Sequence, residues 1–361
     1  MMDVLVFSVA VCAVVFVAAW ILSPALRARL ERPKVPSGVP PSGQAETPGM
    51  LPIVLACCVV GAIMIGATLS LGPGRVRANA TTAPAFATEE YGQRLLAQTP
   101  ELLGPDAPAA NLRYAGNRLS CGSCHMGTGS EPGTLSLPAA THNYPRFAGR
   151  TNSTQTMEDR INECMQRSMN GRPVPKNSPE MIAMVAYMRS LTDKDAASGA
   201  SKRKGNEPPV FKTPARAASP DAGKQVFDKN CAACHGEDGL GLLAAATPIH
   251  GYVFPPLWGP DSFNTGAGMH RVLTAAKFVK ARMPLGRPNL TDEEAFDVAA
   301  YINSQPRPEM PNLERDYPDR STKQIDTAYG PYADPFPVSQ HQYGPFQPIE
   351  AYYKNLKKPA K

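Results

Sequence analysis

Two pentapeptides, "CGSCH" at 121–125 and "CAACH" at 231–235, each set two thiols three residues apart with a histidine directly after the second. C-x-x-C-H is the attachment signature of c-type haem: the thiols add across the porphyrin vinyl groups, and the histidine sits beneath the iron as proximal ligand. Zinc would need two further ligands per pair, and no second C-x-x-C or H-x₃₋₅-H partner is in reach. A disulfide redox pair would call for a βαβ pattern, which is absent. The expected cofactors are therefore two covalently bound haem c groups, held by Cys121, Cys124 and His125 and by Cys231, Cys234 and His235.

A histidine-ligated haem iron has one further axial position, and its occupant sets the chemistry. In the second half "ARMPLG" (281–286) offers Met283, 48 residues after His235, with a proline behind it to stiffen the loop; Met269, His270 and His250 are lesser candidates. The first half has no Met-Pro, and its candidates are Cys164, Met165, Met169 and His142. Residues 155–169 read as a helix that stops at Asn170-Gly171. On it Arg160, Cys164 and Ser168 fall at i, i+4 and i+8, hence on one face. A lone cysteine is ordinarily a small buried hydrophobe. One flanked by arginines favours the thiolate, which is both an iron ligand and a sulfur nucleophile.

The surrounding pattern predicts an all-α fold of two class I cytochrome c-like domains in tandem. "TEEYGQRLLAQTP" (88–100) and "DAGKQVFDKN" (221–230) read as helices leading toward each motif. "SPEMIAMVAYMRSL" (178–191) and "TDEEAFDVAAYINS" (291–304) close each half, both with an Ala-Tyr pair near the end, at Ala186-Tyr187 and Ala300-Tyr301. "TDEE" is a capping box. This internal repeat gives a first domain over 80–191, a linker over 192–219 and a second domain over 220–305. The tail, 306–361, has many Pro, Tyr and Asp and no clear period; it reads as irregular chain lying over the surface.

Residues 1–79 read as a membrane anchor. The uncharged apolar runs 4–22 and 50–71 are candidate transmembrane helices, and Cys12, Cys57 and Cys58 fall within them. Twenty-two helical residues span about 33 Å, enough for a bilayer core and longer than a signal-peptide core. Arg27, Arg29, Arg32 and Lys34 lie between the runs. The positive-inside rule therefore puts that loop in the cytoplasm and the haem domains on the periplasmic face of a bacterial inner membrane. The net charge of +6 is mild and its basic residues are scattered among acids, which argues against a nucleic-acid partner.

At these residues the chain resembles the dihaem thiosulfate dehydrogenases, which join two thiosulfates into tetrathionate or run the reverse. The likeness covers about 88–305 and rests on "LSCGSCH" with "INECMQRSMNG" in the first half. In the second it rests on "CAACHGEDGLG", "FPPLWGPDSFNTGAGM" and "RMPLG". The resemblance implies His125/Cys164 ligation at an active-site haem 1 and His235/Met283 ligation at an electron-exporting haem 2. It also implies that Arg150, Arg160 and Ser168 serve the active cysteine. The family can place a lysine before the haem 2 methionine as an alternative ligand; here that residue is Arg282, whose guanidinium cannot ligate. The implied partners are thiosulfate or tetrathionate and an electron acceptor such as a cytochrome c or a terminal oxidase. The rival expectation is a non-catalytic, membrane-tethered electron carrier between a respiratory dehydrogenase and an oxidase, and a third is a cytochrome acting on protein-bound sulfur.

Overall fold

The computed structural model describes residues 87–131, 135–199, 210–244 and 251–356. The chain divides into units Met1–Ala78 and Asn79–Lys361. The apolar runs 4–22 and 50–71, with the anchor expected of them, lie outside the described residues, as does His250. Among the described residues no helix is long and apolar enough to cross a membrane.

The first repeat is built from α1 (Glu89–Ala97), α2 (Thr99–Leu103), α3 (Pro138–Thr141), α4 (Met157–Arg167) and α5 (Pro179–Ser198). A two-stranded antiparallel ribbon, β1 (Arg146–Ala148) with β2 (Ser153–Gln155), leads into α4, with Phe147 opposite Thr154. Thr88 caps α1 by accepting from Tyr91 N at 3.1 Å. The expected helix over 88–100 breaks at Gln98, where Pro100 starts the short α2. The closing helix runs past 191 to Ser198 and ends at Gly199, whose φ of +62° is the left-handed stop.

The second repeat consists of α6 (Pro220–Asn230), α7 (Ala232–His235), the ribbon β3 (Leu242–Leu243) with β4 (Tyr252–Phe254), α8 (Val272–Arg282) and α9 (Asp292–Ser304). The repeat seen in the sequence has a physical origin at one helix crossing. A Cβ on Gly92 of α1 would lie 2.0 Å from Ala183 O and 2.8 Å from Tyr187 Cβ on α5. A Cβ on Gly223 of α6 would lie 2.0 Å from Asp297 O and 2.9 Å from Tyr301 Cβ on α9. In both halves the backbones meet with no room for a side chain, and the tyrosine of the Ala-Tyr pair packs over the glycine. Leu95, Leu96, Leu103, Ile161, Met165 and Met184 form the first core; Phe227, Trp258, Val279 and Val298 belong to the second.

The tail is more than a surface drape. It carries α10 (Val338–Tyr343) and α11 (Gln347–Leu356), and it buries Phe346 and Ile349 completely against Phe296, Ala299 and Ala300 of the second domain. His341, also buried, places Nδ1 2.7 Å from Ile325 O and Nε2 3.0 Å from Asp334 Oδ1. Its ring stacks on Tyr332 at 3.6 Å. The tail's helices are short and the segments around them irregular, which is why it shows no sustained helical or strand period.

Candidate active site

The sulfur of Cys164 is delivered by α4. That helix starts at a full capping box, in which Thr156 and Asp159 each satisfy the other's backbone N–H. Its apolar residues Met157, Ile161 and Met165 face the core, and Cys164 lies half-buried on the flank that adjoins this stripe. Arg160, one turn earlier, donates from Nη1 to Cys164 Sγ at 3.0 Å, and the cysteine's charge pushes the guanidinium above its ordinary range. Ser168 ends the helix, its N–H bonded to Cys164 O, so the three residues of the predicted face lie along one half-buried spiral.

Arg150 follows β1 and joins the same group. Its Nη1 donates to Gly266 O at 2.9 Å and lies 3.6 Å from Asp316 Oδ2. Burial opposes its charge, but Tyr317, Tyr329, Glu163 and Asp316 outweigh that and raise its pKa. Glu163 sits between the two arginines, 3.8 Å from Arg150 Nε and 3.7 Å from Arg160 Nη1. Arg160 is the more open of the two, with 42% of its side chain exposed against 15% for Arg150.

The attachment motifs fit haem c in both halves. His125 Nδ1 lies 2.7 Å from Leu135 O and His235 Nδ1 2.7 Å from Pro255 O. A carbonyl only accepts, so each Nδ1 carries the proton and each Nε2 keeps a lone pair for a metal. Desolvation lowers both histidine pKa values, which keeps the rings neutral. It also pushes the Cys121 and Cys124 thiols up to about 11 and 12 and Cys231 to about 11, so these pockets suit an uncharged sulfur, as a thioether is. The charge of Cys164 adds to the rise at Cys121 and Cys124, and that of Arg160 to the fall at His125. Cys164 and Arg160 therefore share the surroundings of the first C-x-x-C-H. Of the other distal candidates, Met165 and Met169 are packed in the core at 1% and 3% exposure and His142 is exposed.

Met283 ends α8 and packs on the apolar cluster that contains Phe227, Cys231 and Trp258. Arg271, at the N-cap of α8, makes no side-chain cap; Asp326 of the tail supplies it, accepting from Leu273 N at 3.1 Å and Arg271 Nε at 2.8 Å. Met269 packs against the core shared with the tail. His270 donates from Nδ1 to Thr265 O at 3.0 Å, and burial, helped by Arg307, pushes its pKa down to about 4. Next to Met283, Arg282 Nη1 donates to Glu131 at 2.8 Å, tying this loop to the segment after His125.

The carbonyls at the end of α4 are satisfied from elsewhere. Asn264 of the second domain donates from Nδ2 to Gln166 O at 2.8 Å and from N to Arg167 O at 3.1 Å. Asn117 Nδ2 bridges Ser168 O and Ser262 O at 3.0 and 3.1 Å. Sequence reasoning did not single out Glu163, Asn117, Asn264, Asp316 or Asp326. Glu163 and Asn264 lay inside the motif stretches, where a polar residue next to the site was a signal; the tail aspartates had none.

Comparison with known proteins identifies the family. Residues 113–195 match the SoxA/TsdA cytochrome c domain, and 218–302 match the cytochrome c oxidase, cbb3-type, subunit III family. The chain is 40% identical over 224 residues to the thiosulfate dehydrogenase of Allochromatium vinosum, covering 60% of this chain and 77% of that one. The chain belongs to the thiosulfate dehydrogenase family. The thiosulfate dehydrogenase of Stutzerimonas stutzeri is 38% identical over 224 residues, 62% of this chain and 70% of its own. The solved structure of thiosulfate dehydrogenase (TsdBA) from Marichromatium purpuratum aligns with a TM-score of 0.54 and 34% identity, over 66% of this chain. This chain spans 50% of the length of that one. Membership of the family makes the chain a tandem cytochrome c protein, and haem c is the group its C-x-x-C-H motifs fit.

Proposed function

We propose that the chain interconverts thiosulfate and tetrathionate with two haem c groups: Cys121, Cys124, His125 and Cys164 would hold one, and Cys231, Cys234, His235 and Met283 the other. The haems, when bound, accept the two electrons released by oxidation and pass them to an external acceptor, a cytochrome c or an oxidase. The chain's own residues do the rest. Two thiosulfate dianions at about 4 Å repel by roughly 4 kcal/mol even in water. Arg150 and Arg160 offset that repulsion by gripping sulfonate oxygens. Arg160 holds the Cys164 sulfur in place by donating to it at 3.0 Å. The thiolate joins the sulfane sulfur of one thiosulfate, forming an S–S bond and giving up two electrons. A second thiosulfate attacks that sulfane sulfur, releasing tetrathionate and restoring the thiolate. Ser168 lies one turn further along and is assigned to substrate contact.

The observation that supports this reading best is the 3.0 Å Arg160–Cys164 contact beside the first attachment motif. Purified protein should reduce ferricyanide with thiosulfate and yield tetrathionate, with two covalent haems per chain after acid-acetone extraction. No turnover, or one haem, refutes it. The match of 218–302 to an oxidase-subunit family favours, as the second reading, a pure electron carrier; such a protein would exchange electrons yet be blind to thiosulfate. We further propose that 4–22 and 50–71 anchor the chain in the bacterial inner membrane with the haem domains in the periplasm, as the basic loop between them supports. A periplasm-active reporter should work after residue 90 and fail near residue 40; mature protein beginning after Ala80 or Ala87 would contradict the second span.

A further inference from the structure

Arg150 and Arg167 converge on a single acceptor. Both donate to Gly266 O, Arg150 Nη1 at 2.9 Å and Arg167 Nη1 at 3.2 Å. The approach is so close that a Cβ on Gly266 would meet Arg167 Nη1 at 2.6 Å. Two guanidiniums on one carbonyl repel, and a carbonyl dipole alone does not neutralise them. Of the two, Glu163 faces Arg150 alone, and the carboxylate that reaches both guanidiniums comes from the tail, beyond both matched domains. Asp316, 8% exposed, accepts from Arg167 Nη2 at 2.8 Å and from Tyr329 at 2.7 Å, and stands 3.6 Å from Arg150 Nη1.

The chain goes to some length to put that carboxylate there. The next residue, Tyr317, holds φ at +56°, a conformation unfavourable for a bulky side chain. Its N–H donates to Arg150 O at 2.8 Å, and its ring lies 5.6 Å from the Arg150 guanidinium. Backbone, ring and carboxylate of Asp316-Tyr317 thus all converge on Arg150. With Nη1 engaged by Gly266 and Asp316 and Nε facing Glu163, the contacts among the described residues leave Arg150 Nη2 as the prong for an anion.

We propose that Asp316 is a positioning residue of the thiosulfate site, holding Arg150 beside Arg167 so that its free edge faces the anion. The inference rests on the reading of the site given above. It makes a counter-intuitive prediction about sign. Removing a negative charge from an anion site should tighten anion binding if charge alone matters. If Asp316 positions Arg150, its loss lets the two guanidiniums part and binding weakens. A hydrogen bond between charged groups is large enough for the second effect to win.

The test is steady-state turnover of thiosulfate with ferricyanide by the full chain carrying its haems, together with thiosulfate titration of the haem 1 absorbance. Asp316→Asn should raise KM and the titration midpoint by about tenfold or more, with kcat and the thiosulfate-free haem 1 spectrum little changed. Asp316→Glu should recover most of the loss. In an Arg150→Ala background, Asp316→Asn should add almost nothing. A KM that falls or stays constant in Asp316→Asn, or full additivity with Arg150→Ala, overturns the assignment while the functional reading stands. A loss of kcat and haem 1 signal without a KM change shows a merely structural role and overturns it as well. Wild-type protein that neither binds nor oxidises thiosulfate sinks the functional reading, and this inference with it.

Discussion

Gly92 and Gly223 sit at equivalent helix crossings, and His125 and His235 turn the same nitrogen to a backbone carbonyl. On the opposite side the two domains part company. The first presents its sulfur from the middle of a helix, with Arg160 on it and Glu163 and Arg150 around it. The second presents Met283 at a helix exit, against Phe227, Cys231 and Trp258. A thiolate among fixed cations can hold an anion and exchange sulfur. A thioether in apolar surroundings can do neither, and as an axial ligand it raises a haem's potential. On the proposed function, one scaffold carries a substrate side in one copy and an electron side in the other. In both, residues from outside the domain hold the distal element: Asn264 and Asp316 around α4, Asp326 at the start of α8.

The largest expected effect breaks the comparison at its sulfurs. Cys164→Gly should lower tetrathionate formation on the order of 10³-fold or more while both haems stay attached, and it should alter the haem 1 spectrum alone. Met283→Gly should alter the haem 2 spectrum alone and slow electron exit with KM for thiosulfate unchanged. Stopped-flow spectra separate the two; a Met283 variant with a changed KM would show that the division of labour is wrong.

The next effect tests the shared scaffold. Gly92→Ala and Gly223→Ala each push a methyl into a carbonyl 2.0 Å away, and each should cost about 3 kcal/mol in urea unfolding. If one is tolerated and the other is not, the two crossings are not equivalent.

Asn264→Ala should be milder. It leaves Gln166 O at the end of α4 without its side-chain donor in a site 2% exposed, a loss of about 1–3 kcal/mol. The shift in denaturation midpoint measures it, and an unchanged midpoint would mean that water replaces the amide without penalty.

The smallest effect is a pH dependence. Lys323 is buried at 5% exposure, its ammonium 4.7–5.9 Å from the rings of Tyr317, Tyr329 and Tyr332. Burial, with Arg320 nearby, pushes its pKa down to about 8 from 10.5. The penalised form is the charged one, so the burden is full below about pH 8 and gone once the unfolded lysine also deprotonates, above 10.5. Lys323→Met should therefore raise Tm by about 2–4 °C near pH 7 and by nothing near pH 10.5. A gain that persists at high pH would point to packing instead.

Much of this was legible in the sequence. The attachment motifs, the repeat and the Arg160-Cys164-Ser168 face follow from fixed spacings along a motif or one helix. Arg150 came from a family pattern, and its Nε lies 3.8 Å from Glu163. The rest depends on long-range meetings that no local period records. Asn264 reaches α4 across 98 residues and Asp316 reaches Arg167 across 149. The tail looked structureless because its two helices are short and its anchors are widely spaced, with Asp326 in a turn and Phe346 and Ile349 at the start of α11.

The central claim is that Cys164 reacts covalently with sulfur while Met283 serves electrons alone. Cys164→Met tests it most directly, since a thioether can face iron yet cannot form the persulfide-type bond. The measurement is anaerobic mixing of the oxidised variant with thiosulfate, followed at the haem absorbance, with dithionite as control. The account predicts that dithionite reduces both haems and thiosulfate reduces neither. Reduction by thiosulfate at the wild-type rate would contradict it.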